Sequence, residues 1–157
     1  MNMSNNDRLT RLRYALDIKD SDMLRIFALG GVEVSMDDYK QMLKRMNEDR
    51  YELDLSDEDF ERFMNGMITS QRGPKEGPEP ELELNQDNAN NLFIKKLKIA
   101  LSLTTEEMID IWDEAGVIVT KGELGAFLRK EGHRNYKPCG DNFTRNFLKG
   151  LMPRYRK

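Results

Sequence analysis

The chain has 157 residues, of which 25 are Lys or Arg, 28 are Asp or Glu, one is His and one is Cys. This length suits one compact domain or two very small ones. A single Cys excludes an internal disulfide framework and a multi-Cys zinc site, and a single His excludes the usual catalytic metal sites with several His ligands. The longest apolar runs are about four residues, too short for a membrane span, and residues 1–7 do not resemble a secretion signal. We therefore expect a cytoplasmic protein without membrane contact.

Two amphipathic helices are predicted at the start of the chain. Leu9, Leu12 and Leu16 lie at positions i, i+3 and i+7, which places them on one helical face. A second stripe follows with Met23, Ile26 and Phe27. We expect Gly31 to end this helix, because the left-handed conformation after a helix is inexpensive only for glycine.

Two further helices complete this part of the chain. Ser35 and Asp38 have the spacing of a capping box, and Ser56 and Asp59 repeat it before the fourth helix. The apolar stripes behind these caps comprise Tyr39, Met42, Leu43, Phe60, Phe63, Met64 and Met67. Residues 5–73 are thus predicted to form a unit of four helices.

Residues 74–90 are predicted to be a solvated linker. The segment contains three prolines and a run of acidic residues, and proline is excluded from helix interiors.

Residues 91–157 repeat the first unit. With a shift of 85 positions, Asn5 and Asn6 align with Asn90 and Asn91, and Gly31 aligns with Gly116. Near the C-terminus the shift is 84, which aligns Phe63 and Gly66 with Phe147 and Gly150. A capping box is predicted at Thr120 and Glu123, and Asp141 is the predicted cap of the last helix. Each unit is small enough for its core to be marginal, so we expect the units to pack together or to dimerise.

The motifs NND-x-L-x-R-L-R-Y-A-L-D, D-x-x-M-x-x-I-F-A-L-x-G-V-E-V-S and F-x-x-F-x-x-G-x-I-x-x-x-R-G resemble the bacterial YehS-like family, domain of unknown function 1456. The resemblance covers nearly the whole chain and is strongest from Asn5 to Gly73. The second copy departs from the pattern at Leu92-Phe93 and lacks the final Arg-Gly. The resemblance implies two tandem copies and leaves the function open. The fold expected is all-α, a tandem duplication of a four-helix unit with a helix-turn-helix-like outline.

No enzyme motif emerges from the sequence. Residues 121–125 lack the spacing of a phosphate-binding loop, and the acids at 54–59 lack the Gly and Glu positions of a calcium loop. His133 lies in a polar stretch without a second His, which is typical of a surface loop. Cys139 precedes the last helix, whose N-terminus would activate a thiol, but a packed Cys is the preferred interpretation. We predict no enzyme activity, cofactor or metal.

Charge distinguishes the two copies. Residues 1–73 hold 11 basic and 15 acidic residues, whereas residues 91–157 hold 13 basic and eight acidic ones. Cations cluster on two predicted helices of the second copy, and the candidate contacts to nucleic acid or an acidic partner are Lys95, Lys96, Lys98, Arg129, Lys130 and Arg134. The alternative is a solvated face that complements the acidic half.

The function predicted from these observations is a non-enzymatic protein-interaction or regulatory module that binds another protein or self-associates. The alternative is helix-turn-helix-like binding of nucleic acid through the basic second copy.

Overall fold

The structure is a computed structural model that describes residues 2–156. These residues form eight helices: α1 (Asn5–Leu16), α2 (Asp20–Leu29), α3 (Met36–Leu43), α4 (Asp57–Arg72), α5 (Ala89–Ala100), α6 (Thr105–Glu114), α7 (Lys121–Leu128) and α8 (Asp141–Tyr155). The first three helices of each set have 12, 10 and 8 residues, and the fourth has 16 or 15. The all-α fold with a tandem duplication is confirmed.

Most of the predicted helix ends form as expected. The hydroxyls of Ser35 and Ser56 each accept the N–H three residues later, but the return bonds from Asp38 and Asp59 do not form, so only half of each predicted capping box is present. Thr120 forms a complete capping box with Glu123. Gly31 and Gly116 both have φ of +86°, the left-handed conformation that ends α2 and α6.

The predicted cap of the last helix is wrong. Gly140 occupies the cap position and Asp141 is the first residue of α8. The Asp141 carboxylate accepts hydrogen bonds from the Asn90 amide and the Met3 N–H instead. It therefore joins distant segments rather than closing its own helix.

The two repeats share one core. Helix α1 packs against α8 of the other repeat, and α5 packs in the corresponding way against α4. The pairing is reciprocal, because the first helix of each repeat packs against the fourth helix of the other, and α2 and α6 pack against α4 and α8 of their own repeats. The expected packing between the repeats is confirmed within one chain.

Equivalent aromatic pairs mark the repeat in three dimensions. Phe27 and Phe63 have ring centroids 4.6 Å apart with planes tilted by 53°, and their counterparts Trp112 and Phe147 show the same distance and tilt. The Trp112 indole also donates to the Phe143 carbonyl at 2.8 Å. The tryptophan is therefore a core residue with its polar group satisfied.

Residues 73–88 connect the repeats without a regular helix and are mostly exposed. The N–H groups of Glu83 and Leu84 bind the Glu61 side chain of α4, which fixes the end of this segment beside the groove between α4 and α5. Residues 73–82 are thus exposed, and the connection is bound at this groove only at Glu83 and Leu84.

Candidate functional site

Two consecutive asparagines begin the first helix of each repeat, and the second of each pair is structural. Asn6 donates to the carbonyls of Met42 and Leu53 at 2.9 and 2.8 Å and accepts the Leu55 N–H at 3.0 Å. Asn91 reproduces all three bonds with backbone groups of the second repeat, those of Phe127, Lys137 and Cys139. These amides tie each loop before the fourth helix to the start of the first.

The first asparagine of each pair meets one shared arginine. Arg8 is buried and donates to the side-chain oxygens of Asn5 and Asn90 at 2.9 and 2.8 Å, and to the Met3 carbonyl at 3.1 Å. Burial lowers the pKa of Arg8, and the nearby carboxylates, Asp141 foremost, oppose that change. In the second repeat the equivalent position is Phe93, so a single guanidinium serves both repeats.

The helix starts around Arg8 border a cleft of about 820 Å³. The N-terminal ends of α1, α4, α5 and α8 all contribute to it. Its inward-facing amides and Arg8 are already paired, and Asp57 and Asp141 accept bonds from Asn5 and Asn90. This arrangement is therefore the joint between the repeats, in which Arg8 and the buried amides have partners within the fold.

The groove between α4 and α5 is occupied by the chain itself. Glu61, with only 1% of its surface exposed, accepts the N–H groups of Glu83 and Leu84, both at 2.7 Å. Its other oxygen lies 3.7 Å from Lys96 Nζ, which also donates to Asn65 at 2.7 Å. Burial lowers the pKa of Lys96, and the charge of Glu61 opposes this. The Glu61–Lys96 pair thus holds the connecting segment in place.

The groove between α1 and α8 has the opposite character. Arg145 stands at the position equivalent to Glu61, Arg11 at that of Lys96, and Lys149 at that of Asn65. Arg11 and Arg145 line two adjoining depressions of about 700 and 610 Å³. Within residues 2–156, none of these three cations forms a salt bridge. We call this surface the α1–α8 cleft.

The two depressions of the α1–α8 cleft differ in chemistry. Arg45 adds a further cation to the first, where Asp7 and Glu48 are also present. The second is more apolar, with Tyr14 and Met152 among its lining residues. The cleft thus places cations beside an apolar surface.

The structure separates the cations that the sequence singled out. Lys95, Arg129 and Lys130 come together around a depression of about 130 Å³, which Glu83 and Glu131 also line. Lys96 instead turns into the groove against Glu61. Lys98 and Arg134 do not line that depression. The sequence analysis missed Arg11, Arg145 and Lys149, although aligning the copies shows that Glu61 is replaced by Arg145.

The remaining reactive residue types serve local structure. Cys139 is buried, and burial, with a smaller contribution from Asp141, raises the pKa of its thiol to about 11. The thiol is therefore protonated at neutral pH, as the packed interpretation requires. His133 is exposed and accepts the Asn135 N–H at 3.0 Å within its loop.

Residues 2–156 contain no group of three or more His, Cys, Asp or Glu side chains arranged to hold a metal ion. None of the helices in this range has both the length and the apolar composition that a bilayer crossing requires.

Comparison with known proteins places the chain in a family. A family model described as "Protein of unknown function (DUF1456)" matches it twice, at residues 5–73 and 90–157. The uncharacterized protein YehS of Escherichia coli (strain K12) is 37% identical over 152 residues, which cover 97% of this chain and 96% of YehS. No solved structure gives a significant match. The chain therefore belongs to the DUF1456 family of proteins of unknown function.

Proposed function

We propose that the protein is a non-enzymatic interaction module that binds another protein in the α1–α8 cleft. The observation that carries this proposal is the difference between two equivalent grooves. Residues 83–84 of the chain's own connecting segment bind at the α4–α5 groove, whereas the described residues leave the α1–α8 cleft uncovered, with three cations that form no salt bridge among them. A groove that binds polypeptide at one contact between the repeats is suited to bind it at the equivalent contact.

The environment of the titratable groups supports a role in binding rather than catalysis. The buried Arg8 and Lys96 are engaged with Asn and Glu side chains of the fold. The Cys139 thiol has a raised pKa and contacts Thr144 at 3.7 Å rather than a base. A nucleophile, a base and an orienting group do not come together around any of them.

A pull-down with the full chain as bait tests the proposal. The bait is compared with the double variant Arg11→Gln/Arg145→Gln, and lysates are treated with nuclease. A partner protein that wild type recovers should be lost by this variant. The control Lys98→Gln/Arg134→Gln removes the same charge elsewhere and should retain it. Equal recovery by all three baits would refute a role for the cleft.

The second candidate is nucleic-acid binding through the second repeat. It is supported by the convergence of Lys95, Arg129 and Lys130, none of which forms a salt bridge within the described residues. Such binding depends strongly on salt, because cations on the protein release counterions from the phosphates. A duplex DNA titration at two salt concentrations tests it, with Arg129→Gln/Lys130→Gln as the variant expected to weaken binding.

A further inference from the structure

We infer that the α1–α8 cleft takes an extended, acidic segment of the partner protein, with partner carboxylates on Arg11 and Arg145 and an adjoining apolar side chain near Tyr14 and Met152. This inference rests on the proposed function, since it names the chemistry of the partner for the same cleft.

The connecting segment supplies the precedent for an extended ligand. At the equivalent place in the other half, residues 83–84 pass beside α4 without regular helix and are held through their backbone N–H groups. Leu84 is half-buried and packs against the shared core. A backbone without helix therefore fits alongside the fourth helix of a repeat, with one apolar side chain turned inward.

The change from Glu61 to Arg145 dictates the charge of the occupant. A carboxylate accepts hydrogen bonds, so Glu61 can hold two N–H groups. A guanidinium only donates, and its fork suits a carboxylate. Because Arg11 replaces Lys96 and brings a second guanidinium to the cleft, the occupant must offer acceptors and preferably negative charge.

The apolar part of the cleft favours an occupant that carries a hydrophobic side chain as well as negative charge. Tyr14 is 51% exposed, with the Arg156 guanidinium over its ring at 3.9 Å, and Ala15, Leu148 and Met152 line the same depression. Apolar area beside paired charges provides binding energy when a hydrophobic side chain covers it. An acidic segment that also carries Leu or a similar residue therefore fits better than a purely acidic one.

A second copy of this chain is the less suitable occupant. Its own acidic segment is fixed at both ends to α4, at Arg72 and at Glu61, which are separated by about 16 Å of helix. The intervening residues span at most about 35 Å when fully extended. Placing them in the cleft of another molecule would require release of the bonds to Glu61.

Nucleic acid is also disfavoured at this cleft. Residues 1–73, which contribute α1, hold 15 acidic against 11 basic residues. A duplex would bring its phosphates against this surface as well as the cleft. A short peptide confines its charge to the cleft.

The test is a titration of full-length protein into a labelled peptide, followed by fluorescence anisotropy. The probe is PKEGPEPELEL, the sequence of residues 74–84, which is acidic, proline-containing and ends in Leu. We expect binding that Arg11→Gln/Arg145→Gln weakens by roughly tenfold or more. Lys98→Gln/Arg134→Gln should change it less than about twofold, as expected for remote, screened charges. A peptide with Gln in place of its four Glu should bind the wild-type protein as weakly as the original peptide binds the double variant.

Several results would overturn the inference. The first is equal affinity of the peptide for wild type and for the cleft variant, or equal affinity of the Glu and Gln peptides. The second is a doubling of the protein mass at working concentration, measured by light scattering, in the wild type but not in the cleft variant. This result would make a second copy the occupant. The third is duplex DNA that binds more tightly than the peptide and depends on Arg11. Thermal unfolding checks that the variants fold. If the double variant does not fold, the single variant Arg11→Gln, which changes an exposed residue, is tested in its place.

The outcomes also separate the inference from the function on which it rests. Loss of a protein partner from the cleft variant, with no binding of the peptide, would refute the acidic segment and keep the interaction module. If the cleft variant loses the peptide but the pull-down finds no partner protein that depends on the cleft, the proposed function would be contradicted instead.

Discussion

A single buried amide can satisfy three backbone groups that no other residue type of its size could satisfy together. Asn6 and Asn91 each donate twice to carbonyls and accept one N–H, using both the nitrogen and the oxygen of the side chain. An aspartate would face two carbonyls with negative charge, and a leucine would leave all three groups unpaired. The identical bonds in both repeats explain why this residue occurs at both positions.

The variant Asn91→Leu should therefore lower the free energy of unfolding by at least about 3 kcal/mol, because three buried backbone groups lose their partner. Urea unfolding measures the change. Asn146→Ala is the matched control, since Asn146 bonds only to Asn142 within its own helix. Its effect should stay within about 0.5 kcal/mol. Similar midpoints for the two variants would show that the Asn91 bonds add little.

The ionisation of Asp20 links pH to stability through its hydrogen bond with the Tyr39 hydroxyl. The hydrogen bond from Tyr39, 2.8 Å long, lowers the pKa of Asp20, and Arg13 acts in the same direction while burial opposes both. A carboxyl whose pKa is lower in the folded state stabilises the fold above its unfolded pKa, near 3.9. That contribution is lost as the pH falls through the folded value.

The variant Tyr39→Phe should accordingly be less stable than wild type at pH 7, with a smaller difference at pH 3. Chemical unfolding at both pH values measures this, and the retained ring keeps the packing of a buried side chain. A difference of the same size at both pH values would mean that the hydroxyl acts on packing and not on the ionisation of Asp20.

Helices α2 and α4, and likewise α6 and α8, cross at a glycine. A Cβ atom at Gly66 would overlap the carbonyl oxygen of Ile26, and one at Gly150 would overlap that of Ile111. The backbones approach so closely that side chains beyond hydrogen do not fit between them. In the first repeat Gly30 makes a second such contact, since a Cβ there would overlap the Arg62 carbonyl, so two glycines fix this crossing and Gly150 fixes the other.

We expect Gly66→Ala to cost about 3 kcal/mol, since backbone must move to admit the methyl group. Gly125→Ala is the natural control, because Gly125 lies in α7 with nothing within 4 Å of the added atom. That substitution should stabilise the protein by about 0.5–1 kcal/mol through helix propensity. Thermal unfolding of the two variants should shift in opposite directions, and a parallel shift would contradict the crossing argument.

The sequence predicted the helices but not their neighbours across the repeats. Apolar stripes and capping residues identify which face of a helix is buried, and Gly31 and Gly116 identify where α2 and α6 end. They do not predict that α1 lies against α8, because an apolar stripe does not identify the helix that packs against it. The predicted cationic set had the same weakness, since helical spacing alone did not show that Lys96 faces a buried glutamate.

At the scale of the molecule, neither repeat completes its own core. Helix α1 lies mainly against α8, and α5 mainly against α4, so each repeat supplies the first helix that covers the other. Buried residues of both repeats form one continuous cluster. We therefore regard the folded unit as the pair of repeats, whose sizes alone would give marginal cores.

The charges at the two grooves predict how separated repeats would behave. In a homodimer of residues 1–88, arranged as the whole chain is, Arg11 of one copy would face Glu61 of the other. In a homodimer of residues 89–157, Lys96 would face Arg145, and two cations in a half-buried groove repel each other.

The first fragment, carrying Arg8→Phe so that its joint does not bring two buried guanidinium groups together, should therefore form a helical dimer, whereas the second should remain monomeric and largely unfolded at the same concentration. Sedimentation gives the mass and circular dichroism the helix content of each. Glu61→Arg in the first fragment should abolish its dimer by recreating the repulsion of the second. If residues 89–157 dimerised more tightly than residues 1–88, or if either fragment folded alone as stably as the whole chain, the reciprocal packing would not be what stabilises the protein.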